Sequence, residues 1–390
     1  MKKNILLLII VLLVLGAFWF VKSKNKAKEG NSSKEEEVVE EVIPDYAYLI
    51  NDKGIFSKYY QKSYELLKTM TIDEKIGQLF LVRVPEYSAV EELQKYYFGG
   101  YLLFDRDYRG QTKDSLVNKI NQYQEVSKIP LIIASDEEGG TVTRISRYSA
   151  LVDHQFKSPQ DLYNAGGIEA ILEDEKNKNE ILAYYGINVN LAPVADVSTD
   201  SNDFIYNRAL GLDQYETGKY ISEVIKASTN SKVSYVLKHF PGYGNNVDTH
   251  TGIAIDNRSV DNFKKVDFVP FEDGIKAGAE AVLVNHNIIV NMEDGIPASM
   301  SSKVHEVLRS DMKFTGVIMT DDIAMKAIDG YVEKPSVKAL LSGNDMIIIS
   351  DYARGIGEIK AALESGEITE EMIDRAVMRV LAWKYYKGLM

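Results

Sequence analysis

The sequence predicts an α/β protein whose body is a TIM (β/α)8 barrel, and three observations predict it. Short apolar runs recur eight times through the body, amphipathic stretches of helical length separate many of them, and polar residues stand just after several runs. The 390 residues suffice for one large barrel or two ordinary domains. A doubly wound open sheet shares the alternation, but no glycine-rich dinucleotide turn is present.

The chain begins with Lys2, Lys3 and an uncharged apolar run over residues 5–21, ILLLIIVLLVLGAFWFV. As a helix it spans roughly 26 Å at ~1.5 Å per residue, adequate for a bilayer core. A cleaved secretion signal and a retained anchor both fit such a run. No small-x-small cleavage site follows, and the run ends in Phe18, Trp19 and Phe20, which suit a membrane interface. The expectation is therefore a transmembrane signal anchor over 1–21. Lys22, Lys24, Lys26 and Lys28 outnumber the two lysines before the run, which by the positive-inside rule favours an inward-facing body. Residues 22–45 read as a charged flexible linker, with Glu35, Glu36, Glu37, Glu40 and Glu41 near its end. Residues 46–390 are then a single barrel domain.

A capping box, Thr71-x-x-Glu74, opens one helix of the body. The strand candidates are 79–84, 100–104, 130–135, 187–191, 234–237, 281–285, 316–320 and 345–350. Most are continuously apolar, as strands of a parallel sheet covered by helices must be. Helical patterns run between them, for example at 114–126 and 264–279. Asp136, Asp196, Lys238 with His239, Asn285 with His286, and Asp321 follow the third to seventh runs in turn. Barrel enzymes carry their chemistry at these carboxyl ends.

Composition narrows the function. A net charge of −12 excludes a phosphate-backbone binder, so no nucleic-acid partner is expected. The absence of cysteine excludes disulfides and thiolate metal sites. The five histidines have no i, i+4 pair and no phosphate loop occurs, so neither metal nor cofactor is expected.

The densest chemistry lies in residues 238–251, KHFPGYGNNVDTHT, a loop punctuated by Pro241, Gly242 and Gly244. Asp248 and His250 are two apart and point to one side of an extended stretch. A carboxylate beside an imidazole can fix its tautomer, as a general acid/base near neutral pH requires. By itself the pair is a weak signal, and an ordinary surface dipeptide explains it better. Asp321-Asp322 ends another run: Asp322 is assigned to capping a helix over 323–328, leaving Asp321 in the barrel mouth. A carboxylate there can attack an anomeric carbon, although a second cap or a salt bridge also fits. In SDEEGGTVTR (135–144), Asp136 suits sugar hydroxyls, while Arg144 either joins it or braces Glu137 or Glu138. Arg208 is a similar case.

Together these segments resemble glycoside hydrolase family 3, specifically its NagZ-type β-N-acetylglucosaminidases. The resemblance runs from MTIDEKIGQL at 70–79 to IDRAV at 373–377, and is carried by DEEGG at 136–140, APVADV at 192–197, KHFPGYG with DTH, and TDD at 320–322. It implies a retaining exo-hydrolysis of terminal β-linked N-acetylglucosamine from peptidoglycan fragments. Asp321 would be the nucleophile and His250, paired with Asp248, the acid/base. Asp136, Arg144, Arg208, Lys238 and His239 would bind the sugar. Members with a glutamate acid take it from a second domain, for which no length remains after the eighth strand. The expected partner is a carbohydrate, and the protein is expected to act as a monomer. Its polymer lies outside the cell, so the resemblance places the body extracytoplasmically at the cell membrane, or secreted if the leader is cleaved. Two departures stand out: Tyr243 replaces the family's usual histidine in KHFPGHG, and 244–248 is one residue short. Both bear on how the loop closes.

Overall fold

A computed structural model describes residues 44–249 and 252–390. Among them, eight strands form one parallel sheet: β1 (Phe80–Arg83), β2 (Gly100–Leu103), β3 (Ile132–Ser135), β4 (Val189–Asn190), β5 (Ser234–Phe240), β6 (Ala281–Val284), β7 (Val317–Thr320) and β8 (Ile347–Ile349). Consecutive strands pair in order, as in Leu81↔Gly100, Leu102↔Ala134 and Val282↔Ile318. Phe80↔Ile347 joins β8 back to β1, and the Met319↔Met346 bridge joins β7 to the start of β8. The sheet is thus a (β/α)8-like barrel. Nearly every strand residue is buried, which explains why the runs are continuous rather than alternating.

All eight expected runs contain a strand. The fourth is only Val189–Asn190, because Pro193 has no N–H to extend the ladder and pairing resumes irregularly at Val194↔Lys238. The pattern at 264–279 divides into Val260–Lys265 and Phe268–Lys276. Pro270 has no N–H for a carbonyl four residues back, so it fits only a first turn. The helix expected over 323–328 is a series of turns. A short parallel pair, Ile255–Asp256 with Ile288–Ile289, stands apart from the barrel and was not expected.

The capping box is present: Thr71 Oγ1 accepts from Glu74 N at 3.3 Å while Thr71 N donates to Glu74 Oε2 at 2.9 Å. The last helix, Glu370–Tyr386, closes the amino end of the barrel. Its Trp383 Nε1 donates to Glu280 Oε2 at 2.8 Å and to Ser234 Oγ at 3.0 Å, just before β6 and at the start of β5. Its Lys384 Nζ donates to Gln78 Oε1 at 2.6 Å before β1, and burial pushes that ammonium down to about 7.

Over the described residues the expectation of a transmembrane anchor is corrected, and with it the membrane as a partner and the cell membrane as the location. Among the described residues no helix is long and apolar enough to cross a membrane. The longest helical stretch, Pro159–Tyr184, is broken by non-helical backbone at Gly166 and Gly167, and Asp161, Glu173, Asp174, Glu175, Lys176 and Lys178 lie along it, where a span needs about 20 apolar residues. The run at 1–21 and linker residues 22–43 lie outside the described residues.

Candidate active site

At the carboxyl ends of the strands a cavity of about 440 Å³ opens. Six of the expected site residues line it together: Asp136, Arg144, Arg208, Lys238, His239 and Asp321. Arg83, Phe104 and Asp322 line it too, and had not been assigned to it.

The segment after β3 is shaped by Glu137. Its buried carboxylate accepts Arg144 N at 2.8 Å, Ile145 N at 2.9 Å and the Ser146 hydroxyl. Asn190 on β4 accepts from Glu137 N and donates to Glu137 O, fixing the strand tip. Gly139 has φ +99°, and a Cβ there would stand 2.0 Å from Lys157 O, so only glycine fits the turn. The loop thereby returns Arg144 to the cavity, where NH2 reaches Asp136 Oδ2 at 3.3 Å. Arg144's guanidinium thus braces Asp136, not Glu137 or Glu138. Its own guanidinium lies 5.6 Å from the Phe104 ring, and that of Arg83 lies 4.3 Å from the same ring.

Across the floor runs a buried chain of alternating charge. Asp196 Oδ2 accepts His239 Nδ1 at 2.7 Å, and His239 Nε2 meets Arg208 NH2 at 2.9 Å. Arg208 donates through Nε and NH2 to Glu138 at 3.0 and 2.7 Å. Lys238 Nζ lies 2.6 Å from Glu138 Oε1 and 2.8 Å from Asp136 Oδ1. A guanidinium only donates, so His239 Nε2 accepts and the ring proton sits on Nδ1, facing Asp196. Burial opposes ionisation of Glu138, but Arg208 and Lys238 outweigh it and hold the carboxyl far below the usual range. Burial likewise opposes ionisation of Asp136, and Lys238 and Arg144 hold it low. Burial disfavours the Arg208 cation, but Glu138 more than compensates.

Asp321 stands at the tip of β7. Its N–H donates to Val284 O on β6 at 2.9 Å, and its Oδ1 accepts Asp322 N at 2.8 Å. Asp322 was expected to cap a helix. Instead it accepts Ala324 N at 3.0 Å within a turn, approaches Ser350 Oγ at 3.4 Å and lines the cavity. Burial, with the charge of Asp321 beside it, pushes its carboxyl up to about 6. Asn285 and His286 serve as wiring: Asn285 Nδ2 donates to His239 O at 3.2 Å, and His286 meets Ser299 Oγ and Asp322 O at 2.7 and 3.0 Å.

The loop after β5 is pinned at its base. Tyr243 is buried; its N donates to Asp196 Oδ1 at 2.7 Å and its hydroxyl is hydrogen-bonded to Thr249 Oγ1 at 2.6 Å. Its ring packs edge-on against His239 and Phe204. Asn246 Nδ2 donates to Asp256 Oδ2 at 2.6 Å, and Arg258 pairs with both Asp256 and Asp267. Gly242 has φ +118° with Asp267 Oδ1 2.3 Å from where a Cβ would sit, so that turn too requires glycine. Asp248 is half-buried and does not line the cavity. His250 lies outside the described residues.

Sequence reasoning missed Glu138 as a site residue, and named Asp196 without a partner. The available signal for Glu138 was its spacing: it follows Asp136 by two, so an extended strand tip turns both to one side. Arg83 and Asp322 had only their positions at strand ends.

Residues 71–383 match the Glycosyl hydrolase family 3 N terminal domain. The chain is similar to a Beta-hexosaminidase of Xylella fastidiosa, 34% identical over 248 residues, which cover 62% of this chain and 72% of that protein. It is 25% identical over 324 residues to Beta-hexosaminidase LpqI of Mycobacterium tuberculosis, covering 80% of this chain and 82% of that one. Among solved structures, a glycoside hydrolase family 3 beta-N-acetylglucosaminidase from a Paenibacillus species superposes with a TM-score of 0.77 at 27% identity, over 82% of this chain and 63% of that one. With the barrel, the strand-end cavity and these matches, the chain belongs to glycosyl hydrolase family 3 and is a glycoside hydrolase.

Proposed function

We propose that this family 3 β-hexosaminidase is a retaining exo-enzyme of NagZ type. It releases terminal β-linked N-acetylglucosamine from peptidoglycan fragments, with Asp321 as nucleophile and His250, oriented by Asp248, as acid/base. One observation carries the reading: Asp321 shares a single cavity with Asp136, Lys238, Arg208 and His239. A carboxylate is thus placed beside groups able to hold sugar hydroxyls from several sides. The Paenibacillus likeness and the β-hexosaminidase relatives support the N-acetylglucosamine specificity.

In the first step the Asp321 carboxylate attacks the anomeric carbon while protonated His250 gives its proton to the departing glycosidic oxygen. A covalent glycosyl ester and the free aglycone result. Neutral His250 then takes a proton from water as that water attacks the same carbon. Free sugar of retained configuration leaves, and the Asp321 carboxylate is restored. Asp136, Arg144, Arg208, Lys238 and His239 orient the sugar throughout.

The test is turnover of an aryl β-N-acetylglucosaminide beside a panel of other aryl β-glycosides, with the product anomer followed by NMR. Asp321→Ala is expected to abolish turnover; full activity in that variant sinks the nucleophile assignment. Faster cleavage of another sugar overturns the substrate. His250→Ala is expected to slow substrates with poor leaving groups far more than activated ones, and equal losses on both overturn the acid role.

A further inference from the structure

Glu138 is 4% exposed and does not line the cavity, yet it touches two cations that do. It takes Arg208 through both Nε and NH2, and Lys238 Nζ at 2.6 Å. On its far side Lys238 meets Asp136, which does line the cavity, and Arg208 meets His239. The buried group therefore balances: Asp136, Glu138 and Asp196 against Arg144, Lys238 and Arg208, with His239 neutral. Without the charge of Glu138, Lys238 keeps Asp136, already 2.8 Å away, as its single near carboxylate and is drawn more fully onto an oxygen that a sugar hydroxyl needs. Arg208 loses its carboxylate and keeps only the contact with His239 Nε2, so nothing holds its fork in direction. Both cations would still be present, but no longer directed at substrate.

We propose that Glu138 is a positioning residue for the glycosidase reaction: from behind the cavity wall it holds Lys238 and Arg208 apart and directed at the sugar. This rests on the reading of those two cations as sugar contacts. The role is distinct from binding, since Glu138 itself meets no substrate, and distinct from generic stability, since what it fixes is the direction of N–H groups in the cavity.

The experiment is steady-state kinetics on an aryl β-N-acetylglucosaminide, with N-acetylglucosamine as competing product and a thermal melt for each protein. Glu138→Gln keeps the shape and removes the charge. It is expected to raise KM and the product inhibition constant about tenfold or more, with a smaller change in kcat. Glu138→Asp keeps the charge on a stem too short to reach both partners, and is expected to fall between. Should the glutamine variant fail to fold, the aspartate variant carries the test. In a cycle with Lys238→Met the two losses are expected to be strongly non-additive. Folded Glu138 variants with KM and product inhibition within twofold of the parent, whatever their melting temperature, overturn the proposal. If Lys238→Met itself leaves both constants unchanged, the sugar-contact reading fails instead.

Discussion

His239 and Asp196 are joined through ring and backbone at once. Asp196 Oδ2 accepts His239 Nδ1 at 2.7 Å and His239 N at 3.0 Å, while its other oxygen takes Tyr243 N at 2.7 Å. One buried carboxylate from the segment after β4 thus sets the imidazole of β5 and the start of the loop that leads to Asp248.

Asp196→Asn tests this link. The amide has one acceptor oxygen, so its NH2 must face either the N–H of Tyr243 or the two N–H groups of His239. The clash is expected to cost about 1–3 kcal/mol of stability. It is also expected to lower kcat/KM by roughly tenfold or more, as His239 and the loop base lose their alignment. Thermal unfolding and kinetics on the same preparation measure both. A variant that melts and turns over like the parent would show that the junction is idle.

Asp322→Asn reports on the half-buried carboxyl beside Asp321. Folding raises its pKa to about 6, so the folded state binds that proton more tightly than the unfolded chain. The stability it permits is full below about pH 4 and declines as pH rises through 6. The amide cannot ionise and can keep the contact with Ala324 N. It is expected to be more stable than the parent by about 1–2 kcal/mol above pH 7, a figure discounted for partial exposure. The gap should close toward pH 4. Melting temperatures at pH 4, 6 and 8 decide it, and no advantage at pH 8 counts against a raised pKa.

Lys384→Met addresses the amino end of the barrel. Burial lowers the ammonium to about 7, so between there and about 10.5 the unfolded chain binds the proton more tightly. Parent stability therefore rises over that interval. Methionine fills similar space without charge, at the loss of one bond to Gln78 Oε1. It is expected to add about 2 kcal/mol at pH 6, shrinking to nothing or reversing by pH 10. Chemical denaturation at the two pH values measures this. A loss of stability at pH 6 would mean that the hydrogen bond outweighs the buried charge.

Much of the barrel was legible because burial on both faces forces continuous apolar runs, and each expected run contains a strand. What failed followed from prolines whose local effect outweighed the apolar pattern, and at the site from context. Pro193 shortened β4, and Pro270 confined the second helix of 264–279 to a start just before it. At the site, Asp136, Arg144, Arg208, Lys238, His239 and Asp321 were legible as strand-end or loop residues and meet in one cavity. Asp322 was misassigned because a capping aspartate and a cavity aspartate look alike until the next turn is placed. Tyr243 read as a bare departure from the family pattern, yet it is a buried anchor between Asp196 and Thr249.

By itself the sequence determined the eight-strand alternation, the polar residues that follow the strands and the family they resemble, since these depend on order and spacing along the chain. Only the tertiary structure decided who pairs with whom. Arg208 meets Glu138 across 70 positions and Lys238 meets Asp136 across 102. Contacts over such separations depend on how the barrel curves its strand ends toward one axis, and no local pattern encodes that. The same closure places Glu138 behind the wall and Asp136 in it, although the two stand two residues apart.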